Sequence, residues 1–321
     1  MSVLFLPVSR VGLVLGGGGV TGASYHLAAL LAVEMATGWE PKTADVIVGT
    51  SAGAFAASIV RSGTLSLDSI VKKGERQEDV ARRIRSWVYR KDHIHGVRRW
   101  IRYGVLPSFR RPGLTSVIGA PGRYDPSGIA DWVAEQAPSI ADTWPERPTV
   151  IVAYDLEEQH RTAFGTTSAP VVPLRDAVAA SSAVPIVFSP YEIEGKNYVD
   201  GGVVSGTNAD LVLGNPEPLD LLLVLAPMAA EEQRRRAHFY ESMFDRVGRS
   251  ALHDELVAVA TAWPATDTLV LRPTPAVLAV MRPNPMDPEQ AVPTFIRTLA
   301  SLRTKLAGPE VWQVLEHHLV S

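Results

Sequence analysis

Ser51 lies in Gly49-Thr50-Ser51-Ala52-Gly53, directly after the apolar run Val46-Ile47-Val48. A serine in a tight strand-to-helix turn is expected to expose its hydroxyl near a helix N-terminus, where developing negative charge is favoured. Glycines on both sides leave such a turn room. Two further sites keep it company: the run Gly16-Gly17-Gly18-Gly19 with Gly22 upstream, and Asp200-Gly201-Gly202 downstream. A candidate nucleophile, a loop of backbone amides and an isolated acid are the parts of a serine hydrolase.

Each part also has a plainer reading. Serine after a strand is a common helix N-cap, and Asp-Gly is a common turn. Gly17-x-Gly19-x-x-Gly22 fits three roles: a dinucleotide fingerprint holding a pyrophosphate, an oxyanion hole for a tetrahedral intermediate, or a packing turn. The serine turn one strand later favours the oxyanion hole. A nucleophilic serine needs a base. The late histidines His238, His253, His317 and His318 sit in charged or helical stretches with no strand-end context. A histidine-free dyad, with Asp200 accepting the Ser51 proton directly, is the better fit.

The elements that must position these residues are α/β in pattern. Val11 to Leu15, the glycine loop and a helix from Ala23 to Met35 form one strand-loop-helix unit; Val46 to Val48, the Ser51 turn and Ala54 to Val60 form a second. Two such units in succession predict a parallel sheet with right-handed crossovers. Strands are also expected at 149–154 with a hairpin partner near 161–164, at 219–225 and at 268–271, the last two as central buried strands. Helices are expected at 174–183, 294–306 and 311–319.

The 321 residues, 46% apolar and 20% charged, suit one large soluble domain. The net charge of −3 gives no basis for a nucleic-acid partner. There are no cysteines, so thiolate metal sites and disulfides are excluded, and no histidine pair has ligand spacing. No apolar run approaches the roughly 20 residues of a spanning helix. Val3-Leu4-Phe5-Leu6 lacks a preceding basic region, and a cytoplasmic protein is expected. Between 72 and 111, thirteen Lys/Arg face four acids, so this stretch carries +9 and the rest −12. Trp87, Tyr89, Trp100, Tyr103 and Phe109 are interleaved with the charge. The stretch reads either as a solvated helical face or as a cap docking on anionic lipid.

Taken together, Gly17-Gly18-Gly19-Val20-Thr21-Gly22, Gly49-Thr50-Ser51-Ala52-Gly53 and Asp200-Gly201-Gly202 resemble the patatin-like phospholipase family over about residues 10 to 210. The stretch from Ala179 to Pro185 and on to Val199 is similar to what precedes the family's aspartate. The resemblance implies a three-layer α/β/α fold with a mainly parallel central sheet, and a lipid acyl hydrolase working without metal or cofactor. It implies Ser51 as nucleophile, Asp200 as base and the amides of Gly17, Gly18 and Gly19 as oxyanion hole, with Gly22, Gly49, Gly53, Gly201 and Gly202 supporting the turns. The expected organisation is one domain over 1–321, with a basic helical cap at 65–124 and a C-terminal helical extension at 230–321 packed on the core.

Two departures stand out. Thr21 replaces the family's usual Arg or Lys, and no proline follows in Val203 to Asp210. Both make a neutral ester or thioester a more plausible substrate beside phospholipid. Two alternatives stay open: a catalytically silent lipid-binding member, and a nucleotide-binding protein whose ribose-binding acid would be Glu40 or Asp45.

Overall fold

The computed structural model describes residues 9–72, 74–92, 96–106, 118–229 and 239–320, with backbone alone over 239–250. Lys73, Phe109, Arg110, Arg111, His238 and the segment 3–6 lie outside them.

The first half alternates strand and helix. β1 (Val11–Leu15) leads through the glycine loop into α1 (Gly19–Thr37), and β2 (Val46–Thr50) through Ser51 into α2 (Ala52–Arg61). α3 (Gln77–Val88) and α4 (Val97–Trp100), which runs on into a π-helical turn at Ile101–Val105, form the basic insertion. The pairing of β3 (Arg90–Lys91) with β4 (Tyr124–Asp125) closes it. α5 (Ser127–Gln136), β5 (Thr149–Asp155), β6 (His160–Phe164), α6 (Leu174–Ser181), β7 (Tyr191–Ile193) and β8 (Lys196–Asp200) complete the middle. β9 (Leu221–Leu225), α7 (Phe239–Ala262), β10 (Asp267–Leu271), α8 (Pro275–Met281), α9 (Ala291–Leu306) and α10 (Pro309–Leu319) follow.

β10, β9, β1, β2 and β5 run parallel in that order; β6, β8 and β7 add antiparallel pairs. Strand side chains alternate between two cores, as the period-2 pleat requires. Leu13, Leu15, Ile47, Ile151, Leu221 and Leu223 face the helical layer that holds α1, α2 and α9. Val14, Val48, Val152, Leu222 and Val224 face the other layer, with Leu252 and Val259 of α7. Both faces are covered, which is why these strands read as continuous apolar runs.

Two expectations need correction. The C-terminal 230–321 segment is not a purely helical extension, because β10 joins the sheet. Nor is β10 central: it pairs with β9 alone, and Asp267 and Thr268 are exposed on an edge. Its apolar run is as short as a buried strand's, and only pairing distinguishes an edge from a centre.

The charge of the insertion is partly neutralised in place. Arg83 pairs with Glu75 at 2.8 Å, Arg90 with Asp131 at 2.7 Å and Arg85 with Glu289 at 3.0 Å. Val97, Ile101 and Leu106 stand exposed on the α4 segment, beside exposed Arg98 and Arg102. Trp87 and Trp100 are half-buried.

Candidate active site

The carboxyl ends of β1 and β2 converge, and the loops leaving them carry the chemistry, as parallel α/β sheets dispose their ligand sites. Ser51 follows β2 and caps α2 with φ 55° and ψ −121°, a left-handed backbone that a non-glycine residue rarely adopts. The turn is held tightly. The Ser51 N–H donates to Ser181 Oγ at 2.9 Å, and Ser181 in turn donates to the Val152 carbonyl at 2.6 Å. Gly53 allows α2 to leave at this angle, because a Cβ there would stand 1.8 Å from the Leu15 carbonyl oxygen.

Asp200 ends β8. Its position follows from the pairing around β5. Residues 149–152 of β5 pair with β2, residues 153–155 pair with β8, and β6 pairs over 151–155. A strand has two edges, so β2 and β8 share one edge and run toward each other along it. They stop at consecutive partners, Thr50 opposite Val152 and Asp200 opposite Ala153. This register brings the Ser51 hydroxyl near enough to the Asp200 carboxylate to lower its pKa. The Gly202 N–H donates to Asp200 Oδ1 at 2.7 Å. Burial pushes the Asp200 carboxyl up to about 6, against the lowering effect of those two groups.

The hydroxyl is less exposed than a strand-to-helix turn implies: Ser51 is 5% and Asp200 4% accessible. Side chains close over them. A cavity of about 50 Å³ beside Ser51 is lined by Gly19, Phe55, Trp132, Val184, Phe188 and Met286 among others. Met286 belongs to the proline-rich 282–290 loop, which lies against the glycine loop through the Thr21 N–H donating to the Pro285 carbonyl at 3.0 Å. Thr21 is fully buried there. A long cationic side chain in its place would need room in a position that is now fully buried.

The glycine loop abuts the serine; a Cβ on Gly17 would sit 3.4 Å from Ser51 Cβ. Its amides are not equivalent. The Gly17 N–H donates to the Gly206 carbonyl at 2.7 Å, so Gly17 is removed from the expected set of oxyanion donors. Among the described residues no acceptor lies against the amides of Gly18 and Gly19, which begin α1. Gly19 has φ 62°, and a Cβ there would meet Met286 Sδ at 2.7 Å. Gly22 packs against Ala52, Gly49 against Ala54, and Gly201 against the Val152 carbonyl.

Four residues that no motif marked hold this arrangement. The Asn208 side-chain amide donates to Thr50 Oγ1 at 3.0 Å and to the Ser205 carbonyl at 2.8 Å. Glu255, buried on α7, accepts from Thr207 Oγ1 at 2.6 Å and from the Ala209 N–H at 2.8 Å, and burial raises its carboxyl. Arg161 reaches Asn208 Oδ1 at 3.2 Å while forked onto Asp210. The turn at 205–208 thereby holds β2 through Thr50 and the glycine loop through Gly17. His26, fully buried on α1, donates from Nε2 to the Gly16 carbonyl at 2.6 Å. Burial drives its pKa down to about 4, so the ring is neutral. Of the four, only Asn208 lies in a stretch that the sequence marks, the segment after Asp200-Gly201-Gly202.

The histidines weighed as bases lie elsewhere. His253 is exposed on α7, His317 is exposed on α10, and His318 bonds Asp267 at 3.0 Å. The nucleotide reading loses its acids too. Asp45 accepts from the Val11 N–H at 2.7 Å and Glu40 pairs with Lys42 at 2.8 Å, both at the opposite end of the sheet from Ser51. Among the described residues no helix is long and apolar enough to cross a membrane.

The family model described as patatin-like phospholipase matches residues 13–213. No curated protein matches the sequence. Among solved structures, VipD from Legionella pneumophila is similar over 97% of this chain and 67% of its own, at 15% identity and a TM-score of 0.38. The type III effector ExoU is similar over 98% of this chain at 14% identity and a TM-score of 0.37, and this chain spans only 54% of it. The heterodimeric ExoU–SpcU complex from Pseudomonas aeruginosa matches at 15% identity and 0.32, over 93% of this chain and 60% of the other.

Proposed function

The chain belongs to the patatin-like phospholipase family, and from that membership and the site's geometry we propose that it is a serine lipid acyl hydrolase with a Ser51–Asp200 dyad. The observation that carries this reading is the strand register that ends β2 just before Ser51 and β8 at Asp200, a buried carboxylate whose pKa lies near 6. A carboxylate at that value is ionised at neutral pH, yet more basic than a solvated aspartate, as a general base requires.

The steps follow from the chain's own groups. Asp200 takes the hydroxyl proton as Ser51 Oγ attacks the ester carbonyl carbon. The oxygen of the tetrahedral intermediate becomes negative and is met by the amides of Gly18 and Gly19, at the positive end of α1. The carbon–oxygen bond to the alcohol then breaks, the alcohol leaves with the proton from Asp200, and the acyl group stays on Ser51. Water, deprotonated by Asp200, attacks the acyl carbon and releases the fatty acid, and the proton returns to Ser51. Each lost oxyanion donor costs about 3 kcal/mol in comparable sites.

The substrate class is a lipid acyl ester, and the apolar cavity lining supports it. The exposed Val97, Ile101 and Leu106 beside Arg98 and Arg102 support peripheral contact with an anionic membrane surface. Hydrolysis of p-nitrophenyl butyrate and of phosphatidylglycerol vesicles by wild type and Ser51→Ala tests the reading. Turnover that disappears in a folded Ser51→Ala supports it; turnover that survives, or none in wild type, overturns it.

A further inference from the structure

A second cavity, about 30 Å³, lies behind the first and is lined by Ser24, Leu27, Ser69, Ile70, Arg83 and Ile84 beside four residues that also line the first: Val20, Ala23, Phe55 and Trp132. The two chambers follow the same elements away from the serine. On α1, Gly19 lines only the first, Val20 and Ala23 line both, and Ser24 and Leu27 line only the second. On α3, Val88 lines the first and Ile84, one turn earlier, lines the second. From Val20 to Leu27 the helix rises about 10 Å. The path therefore leads from Ser51 between α1, α2, α3 and α5.

Phe55 and Trp132 stand at the junction. Their rings are packed with centroids 4.4 Å apart and an interplanar angle of 32°. Phe55 is buried on α2 and Trp132 comes from α5, so the pair spans the path from two sides. Val20 and Ala23 form the wall opposite. At the far side, Arg83 bonds Glu75 at 2.8 Å and the Ile70 carbonyl at 2.7 Å, a polar boundary no alkyl chain would replace.

Resting on the hydrolase reading, we propose that the Phe55–Trp132 pair sets the acyl-chain length that Ser51 accepts. A short acyl group fits the first chamber, and a longer one is stopped by the aromatic pair, which separates it from unused apolar volume behind. Removing the indole joins the chambers and moves the preference toward longer chains. Cavity shape distinguishes single methylenes by roughly tenfold or more, so the effect is expected to be large.

The test measures kcat/KM for p-nitrophenyl acetate, butyrate, octanoate and dodecanoate on wild type, Trp132→Ala, Phe55→Leu and Trp132→Ala/Leu27→Phe, with circular dichroism as the check on folding. The expected result is a wild-type optimum at acetate or butyrate. The octanoate-to-butyrate ratio should rise at least about tenfold in Trp132→Ala or Phe55→Leu, then fall back when Leu27→Phe refills the second chamber. A wild-type optimum at dodecanoate, or a ratio unmoved by both single variants, overturns the proposal while leaving Ser51 hydrolysis standing. Should wild type show no turnover, the hydrolase reading fails separately. The gate is then judged by calorimetric binding of butyrate and decanoate to Ser51→Ala with and without Trp132→Ala. Tighter decanoate binding in the double variant supports it, and unchanged binding overturns it.

Discussion

Ser51 follows and Asp200 ends two strands that run toward one another along a single edge of β5, where Thr50 and Asp200 pair with the consecutive residues Val152 and Ala153. Their proximity is thus set by backbone register, with no long side chain to bridge a gap. A hydroxyl and a short carboxylate suffice because the sheet delivers them end to end. Ser181, bonded to both the Ser51 N–H and the Val152 carbonyl, ties the serine turn to the same strand.

The raised Asp200 pKa fixes the expected pH profile. With ionised Asp200 as the proposed base, kcat/KM should fall on the acid side with an inflection near pH 6. Asp200→Asn should remove this limb together with most activity. The stability sign is opposite: between the unfolded value near 4 and 6 the folded state binds more protons, so Asp200 contributes less stability as pH rises through that window. An acid limb centred near 4 would contradict the burial effect.

Backbone strain at Ser51 gives a second expectation. Its φ of 55° penalises any side chain, and glycine relieves it. Ser51→Gly should be more stable than Ser51→Ala by about 1 kcal/mol in urea denaturation. Equal stability would mean the surrounding bonds impose no strain.

Asn208 and Glu255 hold the turn that positions Thr50 and Gly17 without touching a reacting atom. Asn208→Ala and Glu255→Ala should each lower kcat by about tenfold to a hundredfold and leave KM nearly unchanged. Glu255→Gln, which keeps an acceptor, should recover part of the loss. Steady-state kinetics on a short ester checks this; an effect on KM alone would place the turn in substrate binding.

His26 is buried neutral with a pKa near 4, against 6.5 unfolded. Between those values the unfolded state binds more protons, so His26 weakens the fold as pH drops through this window. The full loss is of order 3 kcal/mol. Chemical denaturation of wild type and His26→Gln at pH 7 and 5 should show the variant less sensitive to the change.

The proposed membrane contact through the α4 segment predicts that Ile101→Asp weakens co-sedimentation with phosphatidylglycerol vesicles several-fold, while phosphatidylcholine vesicles bind poorly in either case. Equal binding to both lipids would remove the electrostatic role of Arg98 and Arg102.

What could be read in the sequence was local. Gly49, Gly53 and Gly201 announce turns because side chains cannot fit there, and the two strand-loop-helix units follow from apolar runs broken by glycine. What could not be read depends on long-range register. The loss of the Gly17 amide to Gly206 and the clamp from Glu255 join segments far apart in the chain. Asn208 reaching Thr50 is another such link. The burial of Ser51 has the same origin, since Met286 arrives from a loop more than two hundred residues later. The edge position of β10 likewise follows from its single neighbour, β9, which its apolar pattern does not name.

The most direct test of the dyad is the rate of labelling by a fluorophosphonate across pH 4.5 to 8, with the modified peptide mapped by mass spectrometry, on wild type, Ser51→Ala and Asp200→Asn. The account predicts one adduct on Ser51, a rate rising with an inflection near pH 6, no adduct in Ser51→Ala, and at least about a hundredfold slower labelling in Asp200→Asn. Labelling elsewhere, or an Asp200→Asn rate equal to wild type, would contradict it.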